Sequence, residues 1–379
     1  MAKRRLGVIL TGATGRIGVN QHLGRALVPL RDAPMRVGGD ELSIDLILVG
    51  RDADKLRQVA ARFGIERWTT DLDSALSNRD DSVFFDCAAT GVRVANVTRA
   101  LQAGKHVLCD KPLATTHADA CALVRLAQAA GLKNGVIMAN LWLPGLRKMK
   151  NLVDSGFFER VLFIRGEHGY WVFDGERRPA QRPSWNYRKE DGGGIVLDMM
   201  CHWHYMLESL FGRARRVTCA TRTFLPQRRD EHGKGYAATA DDTATVICEL
   251  ESGALAQVNL AWTTRVRRDD LMVMQVDGTG GSAVAGVFDC LAQHRTQTPS
   301  LLWNAEDRPG VDHRAAWLQV PDLPALGNAF KVQWELFLRH VCEDAAFPWD
   351  FAMAARGIEL VEKCYRSSEA YTWETLAAQ

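Results

Sequence analysis

An apolar strand that runs directly into evenly spaced glycines constrains the fold of this chain more than any other feature. Leu6–Leu10 is the predicted strand, and Gly12, Gly15 and Gly18 follow it before an amphipathic segment. Such glycines permit a tight strand-to-helix turn and let backbone N–H groups approach a pyrophosphate at the helix N-terminus. The spacing is G-x-x-G-x-x-G rather than the commoner G-x-G-x-x-G, so an ordinary strand–helix turn is the alternative. The segment predicts the start of a nucleotide-binding sheet.

Short apolar runs alternate with amphipathic segments through residues 1–142. Continuous apolar strands separated by helices are typical of a parallel sheet that helices cover on both faces. The chain is therefore expected to be an α/β protein whose first domain, residues 1–142, is a doubly wound parallel sheet. The predicted strands are Leu6–Leu10, Leu42–Val49, Ser82–Cys87, His106–Cys109 and Val136–Ala139, and the predicted helices are Ala53–Phe63, Val92–Ala103 and His117–Ala130.

After residue 142 the chain becomes β-rich, without comparable helices between the strands. This pattern predicts a second α/β domain, residues 143–379, with a large, mostly antiparallel, open sheet that buries one face. Two final helical patterns, Phe330–Glu343 and Phe351–Glu369, either cap this domain or return to the first. Phe173–Pro183 and Gln227–Gly235 are charged and rich in Pro or Gly, and are predicted loops. The predicted strands are Val161–His168, Arg216–Thr223, Thr243–Glu249, Ala254–Trp262 and Leu271–Asp277.

The composition argues against several classes of partner. A net charge of +2 gives no reason to expect nucleic acid or an anionic membrane as a partner. No segment approaches the roughly 20 apolar residues of a membrane span, and the apolar run near the start is shorter than the roughly 7–15 residues of a signal-peptide core. The nine cysteines are odd in number and contain no Cys-x-x-Cys pair. We therefore expect a cytoplasmic protein without a disulfide framework.

The end of the second predicted strand bears on cofactor choice. A dinucleotide site usually carries an acidic residue there, which holds the ribose 2′-hydroxyl. Here the sequence is Leu48-Val49-Gly50-Arg51-Asp52, so Gly50 stands where the carboxylate would be and Arg51 could face a 2′-phosphate. The pattern favours NADP over NAD. The alternative is that Arg51 merely caps the edge of the sheet.

Lys111 lies just past a predicted strand, between Asp110 and Pro112, with apolar neighbours that predict a half-buried site. A lysine in this place can reach both a nicotinamide and a substrate hydroxyl. Its ammonium can orient that hydroxyl, or relay its proton if desolvation lowers the pKa of the lysine. A solvated surface charge is the alternative.

Asp198 and His202 are four residues apart in a predicted helix and therefore share one face. The glycines at 192–194 before them suit close approach of the backbone to a ligand. A His/Asp pair is suited to removing a proton from an alcohol. His204 could suggest a metal site with His202, but no third ligand is evident and we expect no metal. The aromatic and polar residues just before the glycines, Trp185, Tyr187 and Arg188, are candidate sugar contacts, with a partly buried loop as the alternative.

These motifs together resemble the Gfo/Idh/MocA family of oxidoreductases over nearly the whole chain. Residues 103–114, AGKHVLCDKPLA, are similar to the family pattern A-G-K-H-V-x-x-E-K-P-x-A. Residues 192–198 with His202 are similar to G-G-G-x-x-x-D-x-x-x-H. The resemblance implies a Rossmann domain, a second domain with a large open sheet, and Lys111, Asp198 and His202 as catalytic residues. The implied cofactor contacts are Gly12, Thr14, Gly15, Arg16, Ile17, Arg51, Ala88, Asp110 and Lys111.

The implied function is hydride transfer between NADP or NAD and a secondary hydroxyl or ketone of a sugar, sugar derivative or cyclitol. A glycoside-cleaving or lyase reaction that uses a bound nicotinamide transiently is the alternative, and a nucleotide-sensing regulator is a third. The open sheet predicts a homo-oligomer, a dimer or tetramer, because an exposed apolar sheet would aggregate. Departures from the family pattern, among them Asp110 for glutamate, residues 89–93 for P-x-x-x-H, and Tyr205 for an aspartate, leave the substrate open. Phe173–Arg182 and Pro29–Asp40 are insertions relative to better-known members.

Overall fold

Two compact units make up the chain in the computed structural model, which describes residues 2–268, 270–302, 304–306 and 310–377. The N-terminal unit comprises Met1–Ala139 and Leu326–Glu359, and the C-terminal unit comprises Asn140–Ala325 and Leu360–Gln379. The predicted division after residue 142 lies three residues beyond this boundary, and the predicted position of the last helices was open. Residues 326–359 cluster with the N-terminal unit.

The N-terminal unit is built on a parallel sheet. Its strands run in the order β4-β3-β1-β5-β6-β7, and the short β2 pairs antiparallel with the start of β3. This order reverses direction at β1, as in doubly wound folds, which confirms the predicted fold class. The strands are β1 Lys3–Thr11, β2 Arg36–Val37, β3 Asp40–Val49, β4 Arg67–Thr69, β5 Val83–Asp86, β6 His106–Cys109 and β7 Asn134–Val136.

Capping residues mark where helices of this unit begin and end, as α3 shows. Helix α3 starts after Asp52, whose carboxylate accepts a hydrogen bond from the Lys55 N–H (3.1 Å), and ends at Gly64 in the left-handed region (φ +60°). Pro29–Asp40, expected as an insertion, contains part of α2 and all of β2. The helices are α1 Gly18–Leu27 (with π-type turns), α2 Val28–Asp32, α3 Ala53–Phe63, α4 Leu72–Ser77, α5 Thr90–Gln102, α6 His117–Ala129 and α10 Ala329–Glu343.

The C-terminal unit contains the larger sheet, in the order β17-β16-β15-β14-β8-β13-β12-β9-β18. Among the described strands of this sheet, only β8 and β13 pair in parallel. The predicted mostly antiparallel sheet is therefore confirmed. The strands are β8 Val161–His168, β9 Ala214–Arg222, β12 Thr243–Leu250, β13 Leu255–Ala261, β14 Met272–Gly278, β15 Gly281–Ala285, β16 Cys290–His294, β17 Leu318–Gln319 and β18 Glu374–Thr375.

One expectation for this unit is wrong. Gln227–Gly235, predicted as a loop, contributes to an antiparallel hairpin of β10 (Gln227–Arg229) and β11 (Gly235–Ala237). Its residues are polar and lack the apolar alternation that identifies a strand from sequence, because the hairpin does not contribute to the large sheet.

Helices pack on one face of the large sheet. Trp203 is completely buried, and a Cβ at Gly166 of β8 would lie 2.4 Å from its ring, so glycine is needed there. No helix in the described ranges is long and apolar enough to cross a bilayer. The helices are α7 Pro144–Asp154, α8 Val196–Met200 (π-type), α9 Cys201–Phe211 and α11 Phe351–Ala370, whose residues are divided between the two units.

Candidate active site

The glycine turn after β1 is packed against the backbone around it. Gly12 has φ +71°, and a Cβ on it would lie 2.4 Å from the carbonyl carbon of Cys87, just past β5. A Cβ on Gly18 would lie 2.4 Å from the Gly12 carbonyl oxygen. Side chains at these two positions would therefore force the ends of β1, β5 and α1 apart. Gly15, whose N–H donates to the Gly12 carbonyl (3.0 Å), is exposed.

The helix that follows this turn fits a pyrophosphate. Helical residues begin at Arg16, and α1 has neither a side-chain cap nor an acidic residue in its first turn. Its first N–H groups have no acceptors within the helix, and the helix dipole favours an anion beside them. Gly15, Arg16 and Ile17 are therefore suited to hold a dinucleotide, and Thr14 lies half-buried beside them. Contacts of these residues with a cofactor stay predictions.

The end of β3 carries no carboxylate in the ribose position. A Cβ on Gly50 would lie 3.3 Å from the Leu56 side chain, so this position favours a small residue. The neighbouring Asp52 caps α3, and its hydrogen bonds with Lys55 lower the pKa of its carboxyl below the ordinary value. Arg51 is exposed between them. This geometry is compatible with a phosphate contact by Arg51.

Asp110 and Lys111 follow β6 in a turn stabilised by a side chain that sequence reasoning missed. The Asp110 carboxylate accepts the Lys111 N–H (2.9 Å), and the Lys111–Pro112 peptide bond is cis. His22, wholly buried in α1, places its Nε2 3.9 Å from Asp110 Oδ2, and its Nδ1 accepts the indole N–H of Trp334 (3.2 Å). Burial alone would raise the pKa of Asp110, but the imidazole of His22 and the neighbouring cations outweigh it and lower that pKa.

A buried arginine joins the loops after β5 and β6. The Arg93 guanidinium donates to the Asp86 carboxylate (3.0 Å), to the Ala88 carbonyl (2.9 Å) and to the Pro112 carbonyl. Both Asp86 and Arg93 are buried. The turn that differs from the family pattern at residues 89–93 therefore supplies a contact to the backbone beside Lys111. No sequence pattern indicates this contact, because an arginine 19 residues from Pro112 follows no recognisable spacing.

The glycines before α8 are needed for internal packing. Gly194 has φ +124°, and a Cβ there would lie 2.5 Å from Asp241 Oδ1 and 2.8 Å from the Tyr365 hydroxyl oxygen. Asp241 accepts the Val196 N–H (2.9 Å) and the Tyr365 O–H (2.9 Å), and burial raises the pKa of its carboxyl. The carboxylate thus fixes the start of α8 close to Gly194.

Asp198 and His202 each have a defined partner within the C-terminal unit. Asp198 forms an ion pair with Arg182, whose Nη1 contacts Oδ2. His202 Nδ1 lies 2.6 Å from the Tyr205 hydroxyl oxygen, which also accepts the Asn140 N–H (3.3 Å). Tyr205 was noted in the sequence as a departure from the family pattern, whereas Arg182 was not identified.

The candidate sugar contacts lie in different surroundings. Tyr187 is buried, its hydroxyl donates to the Phe173 carbonyl (2.5 Å), and burial raises its pKa well above the ordinary value. This geometry supports the alternative of a packed loop for Tyr187, because its polar group is already used internally. Trp185 is 38% exposed, and the Arg188 guanidinium lies 4.6 Å from the ring centre of Tyr236. Contacts of Trp185 and Arg188 with a sugar stay predictions.

His204, two residues after His202, has a structural partner. His204 is buried, and its Nε2 lies 2.9 Å from a Glu208 carboxylate oxygen. Asp242 is likewise buried in an ion pair with Arg228 (2.7 Å). Within the described residues no three His, Cys, Asp or Glu side chains converge as metal ligands would.

Comparison with known proteins assigns both halves of the chain. Residues 8–138 match the family model of oxidoreductases with an NAD-binding Rossmann fold, and residues 146–284 match the GFO/IDH/MocA C-terminal domain. The chain belongs to the GFO/IDH/MocA oxidoreductase family. It is 45% identical to a D-xylose dehydrogenase of Paenarthrobacter nicotinovorans over 96% of this chain and 95% of that protein. The predicted family and the predicted class, a nicotinamide-dependent dehydrogenase acting on CH–OH groups, are confirmed.

More distant relatives show the same fold. A levoglucosan dehydrogenase of Pseudarthrobacter phenanthrenivorans is 24% identical over 74% of this chain and 73% of that protein. A solved levoglucosan dehydrogenase in complex with NADH and levoglucosan superposes with a TM-score of 0.82 at 20% identity, covering 99% of this chain and all of that chain (100%). The two-domain architecture is therefore shared well beyond the range of close sequence similarity.

Proposed function

We propose that this protein is an aldose dehydrogenase that oxidises D-xylose or a closely similar neutral sugar. The observation that carries the proposal is the 45% identity with a D-xylose dehydrogenase over nearly the full length of both chains. Among more distant relatives are dehydrogenases named for levoglucosan and D-apiose. A sugar hydroxyl is therefore the substrate group for which we interpret the site.

Lys111, His202 and Asp198 are the proposed catalytic residues. Asp198 would orient His202 or contact a substrate hydroxyl. Gly15, Arg16 and Ile17 would hold the pyrophosphate of the dinucleotide, whose nicotinamide would supply the hydride acceptor. The Lys111 ammonium would hold the reacting oxygen and stabilise negative charge that develops on it. His202 Nε2 would take the hydroxyl proton. In that role its Nδ1–H donates to the Tyr205 oxygen, as their 2.6 Å separation allows.

NADP is the proposed cofactor. Support comes from the missing carboxylate at Gly50, the use of Asp52 as a helix cap, and the exposed Arg51 between them. A guanidinium suits a 2′-phosphate, whereas NAD sites generally present a carboxylate to the ribose hydroxyl.

We also propose a cytoplasmic location and a homo-oligomer, a dimer or tetramer. Support for the location comes from the nine cysteines, which form no disulfide in the described part of the chain, as is usual in a reducing compartment. The expected partner is the sugar substrate. We expect no nucleic acid or membrane partner, because the net charge of +2 is close to balanced.

The decisive experiment follows nicotinamide absorbance with purified protein, first with NADP and then with NAD, across D-xylose, other aldoses, inositols and keto-sugars. We expect turnover with D-xylose and a higher kcat/KM with NADP. Lys111→Met should abolish turnover while cofactor binding persists, because the methionine removes the ammonium and keeps the length of the side chain.

Four results bear separately on these proposals. No absorbance change with any sugar would refute the proposed aldose substrate. Product release without net absorbance change would indicate transient oxidation. Retained turnover in the Lys111→Met variant would exclude the lysine from catalysis. A higher kcat/KM with NAD would refute the cofactor preference.

A further inference from the structure

Arg182 lies at the end of the inserted segment Phe173–Arg182 and contacts the predicted catalytic Asp198. Its Nη1 forms an ion pair with Asp198 Oδ2, and the two side chains are 18% and 14% exposed. Both residues belong to the C-terminal unit. A partly buried contact of this kind is screened less by solvent than a surface pair.

Aromatic rings fix the guanidinium in place. Its central carbon lies 4.9 Å from the ring centre of Phe173 and 5.1 Å from that of Trp262, within the range of cation–π attraction. A third contact, Nη2 to the Met199 sulfur at 3.9 Å, comes from the residue next to Asp198. The planar group is thus held by packing as well as by charge.

A second layer supports these rings. Tyr187 packs edge-on against Trp262 (5.1 Å between ring centres), and its hydroxyl donates to the Phe173 carbonyl. Arg228 lies 4.3 Å from the Tyr187 ring centre and is paired with the buried Asp242. The charge of Arg228 is therefore already compensated within this layer. The layer also explains why Tyr187 is buried.

We propose that Arg182 is a positioning residue for the dehydrogenase reaction: it fixes the orientation of the Asp198 carboxylate and offsets its charge. The inference rests on the proposed function, in which Asp198 orients the catalytic base or contacts a substrate hydroxyl. A carboxylate at the start of a helix can rotate about two side-chain bonds. The guanidinium packs against two rings and holds the carboxylate in one orientation. The carboxylate then presents the same geometry to each substrate molecule.

The first test compares Arg182→Met and Arg182→Lys with the wild type. Methionine leaves an apolar side chain beside the rings and removes the charge, and lysine keeps the charge without the planar fork. We expect kcat/KM for the sugar to fall by at least about tenfold in the methionine variant, as loss of a coupled charge pair predicts, and to recover partly in the lysine variant. Affinity for NADP should not change. Arg178→Met, an exposed arginine of the same insertion, should match the wild type.

A double-mutant cycle with Asp198→Asn separates positioning from a general structural role. If Arg182 acts through Asp198, the loss caused by Arg182→Met should largely disappear when residue 198 is already asparagine. Sugar affinity, measured by calorimetry with cofactor present, gives the same cycle if Asp198→Asn does not turn over. Thermal denaturation checks that each variant is folded, and the lysine variant replaces the methionine variant in the cycle if the latter does not fold.

The outcomes are distinct. If the wild type oxidises no sugar, the proposed function fails and this inference fails with it. If the wild type is active but Arg182→Met resembles Arg178→Met, or the effects of Arg182→Met and Asp198→Asn are additive, Arg182 does not position Asp198 and the inference alone is refuted.

Discussion

Tyr205 gives the proposed catalytic histidine a neutral partner. Its hydroxyl oxygen lies 2.6 Å from His202 Nδ1 and accepts a hydrogen bond from the Asn140 N–H. A phenol hydroxyl can orient the imidazole through a hydrogen bond, as a carboxylate would, without adding a negative charge beside it. The substitution of tyrosine for the family's frequent aspartate therefore preserves orientation and changes the electrostatics.

Tyr205→Phe tests this role. We expect kcat to fall by about tenfold, because loss of one orienting hydrogen bond is worth on the order of 1 kcal/mol and frees the imidazole to rotate. Steady-state kinetics with the sugar checks it, and Tyr371→Phe, at an exposed tyrosine, is the matched control. A kcat within twofold of the wild type would show that His202 needs no such partner.

The sequence identifies the proposed catalytic side chains but few of the groups that contact them. Lys111, Asp198 and His202 lie in motifs with fixed spacing. Their neighbours do not: Arg182 is 16 residues from Asp198, and Trp334 is 312 residues from His22. Side chains that meet only through tertiary structure leave no periodic trace in the sequence, so these partners could not have been identified without the fold.

At the scale of the elements, Arg93 of α5 connects the ends of two neighbouring strands. It binds Asp86 at the end of β5 and the Pro112 carbonyl in the loop after β6. Because both charged groups are buried, each depends on the other for compensation.

Arg93→Met should therefore destabilise the protein by about 3–5 kcal/mol, since it leaves a buried carboxylate without its cation. Urea denaturation measures this change. Arg99→Met, on the same helix and paired at the surface with Asp73, should cost no more than about 1 kcal/mol. Equal losses of stability in the two variants would contradict the role assigned to Arg93.

The strands and helices predicted correctly are those whose buried faces leave a local pattern in the sequence. The strand His106–Cys109 and the helix Ala53–Phe63 match their predicted bounds, because a continuous apolar run or a capped amphipathic pattern specifies them locally. The hairpin of β10 and β11 was missed because its pairing is set by surrounding structure rather than by an apolar pattern. Short edge strands such as β17 and β18 are difficult to predict for the same reason.

For the whole molecule, the large sheet makes the prediction of an oligomer testable. Leu255 of β13 and Leu291 of β16 are exposed, and the strand register places them on the same face of this sheet. A second copy of the chain covering such a surface would remove these side chains from water. Light scattering after size-exclusion chromatography should give at least twice the chain mass of 42.1 kDa. A mass of one chain at micromolar concentration would refute the oligomer.

The N-terminal unit is discontinuous in sequence, and this sets the order in which it can form during synthesis. Its core includes Trp334, Phe337 and Phe347 beside residues of β1 and β3. Gln333 donates to the Val136 carbonyl (3.1 Å) and accepts the Met138 N–H (2.5 Å), so the last strand also depends on α10. A nascent chain that has just completed residue 139 still lacks part of this core. The core of the N-terminal unit can therefore be completed only after residues 326–359 have been synthesised.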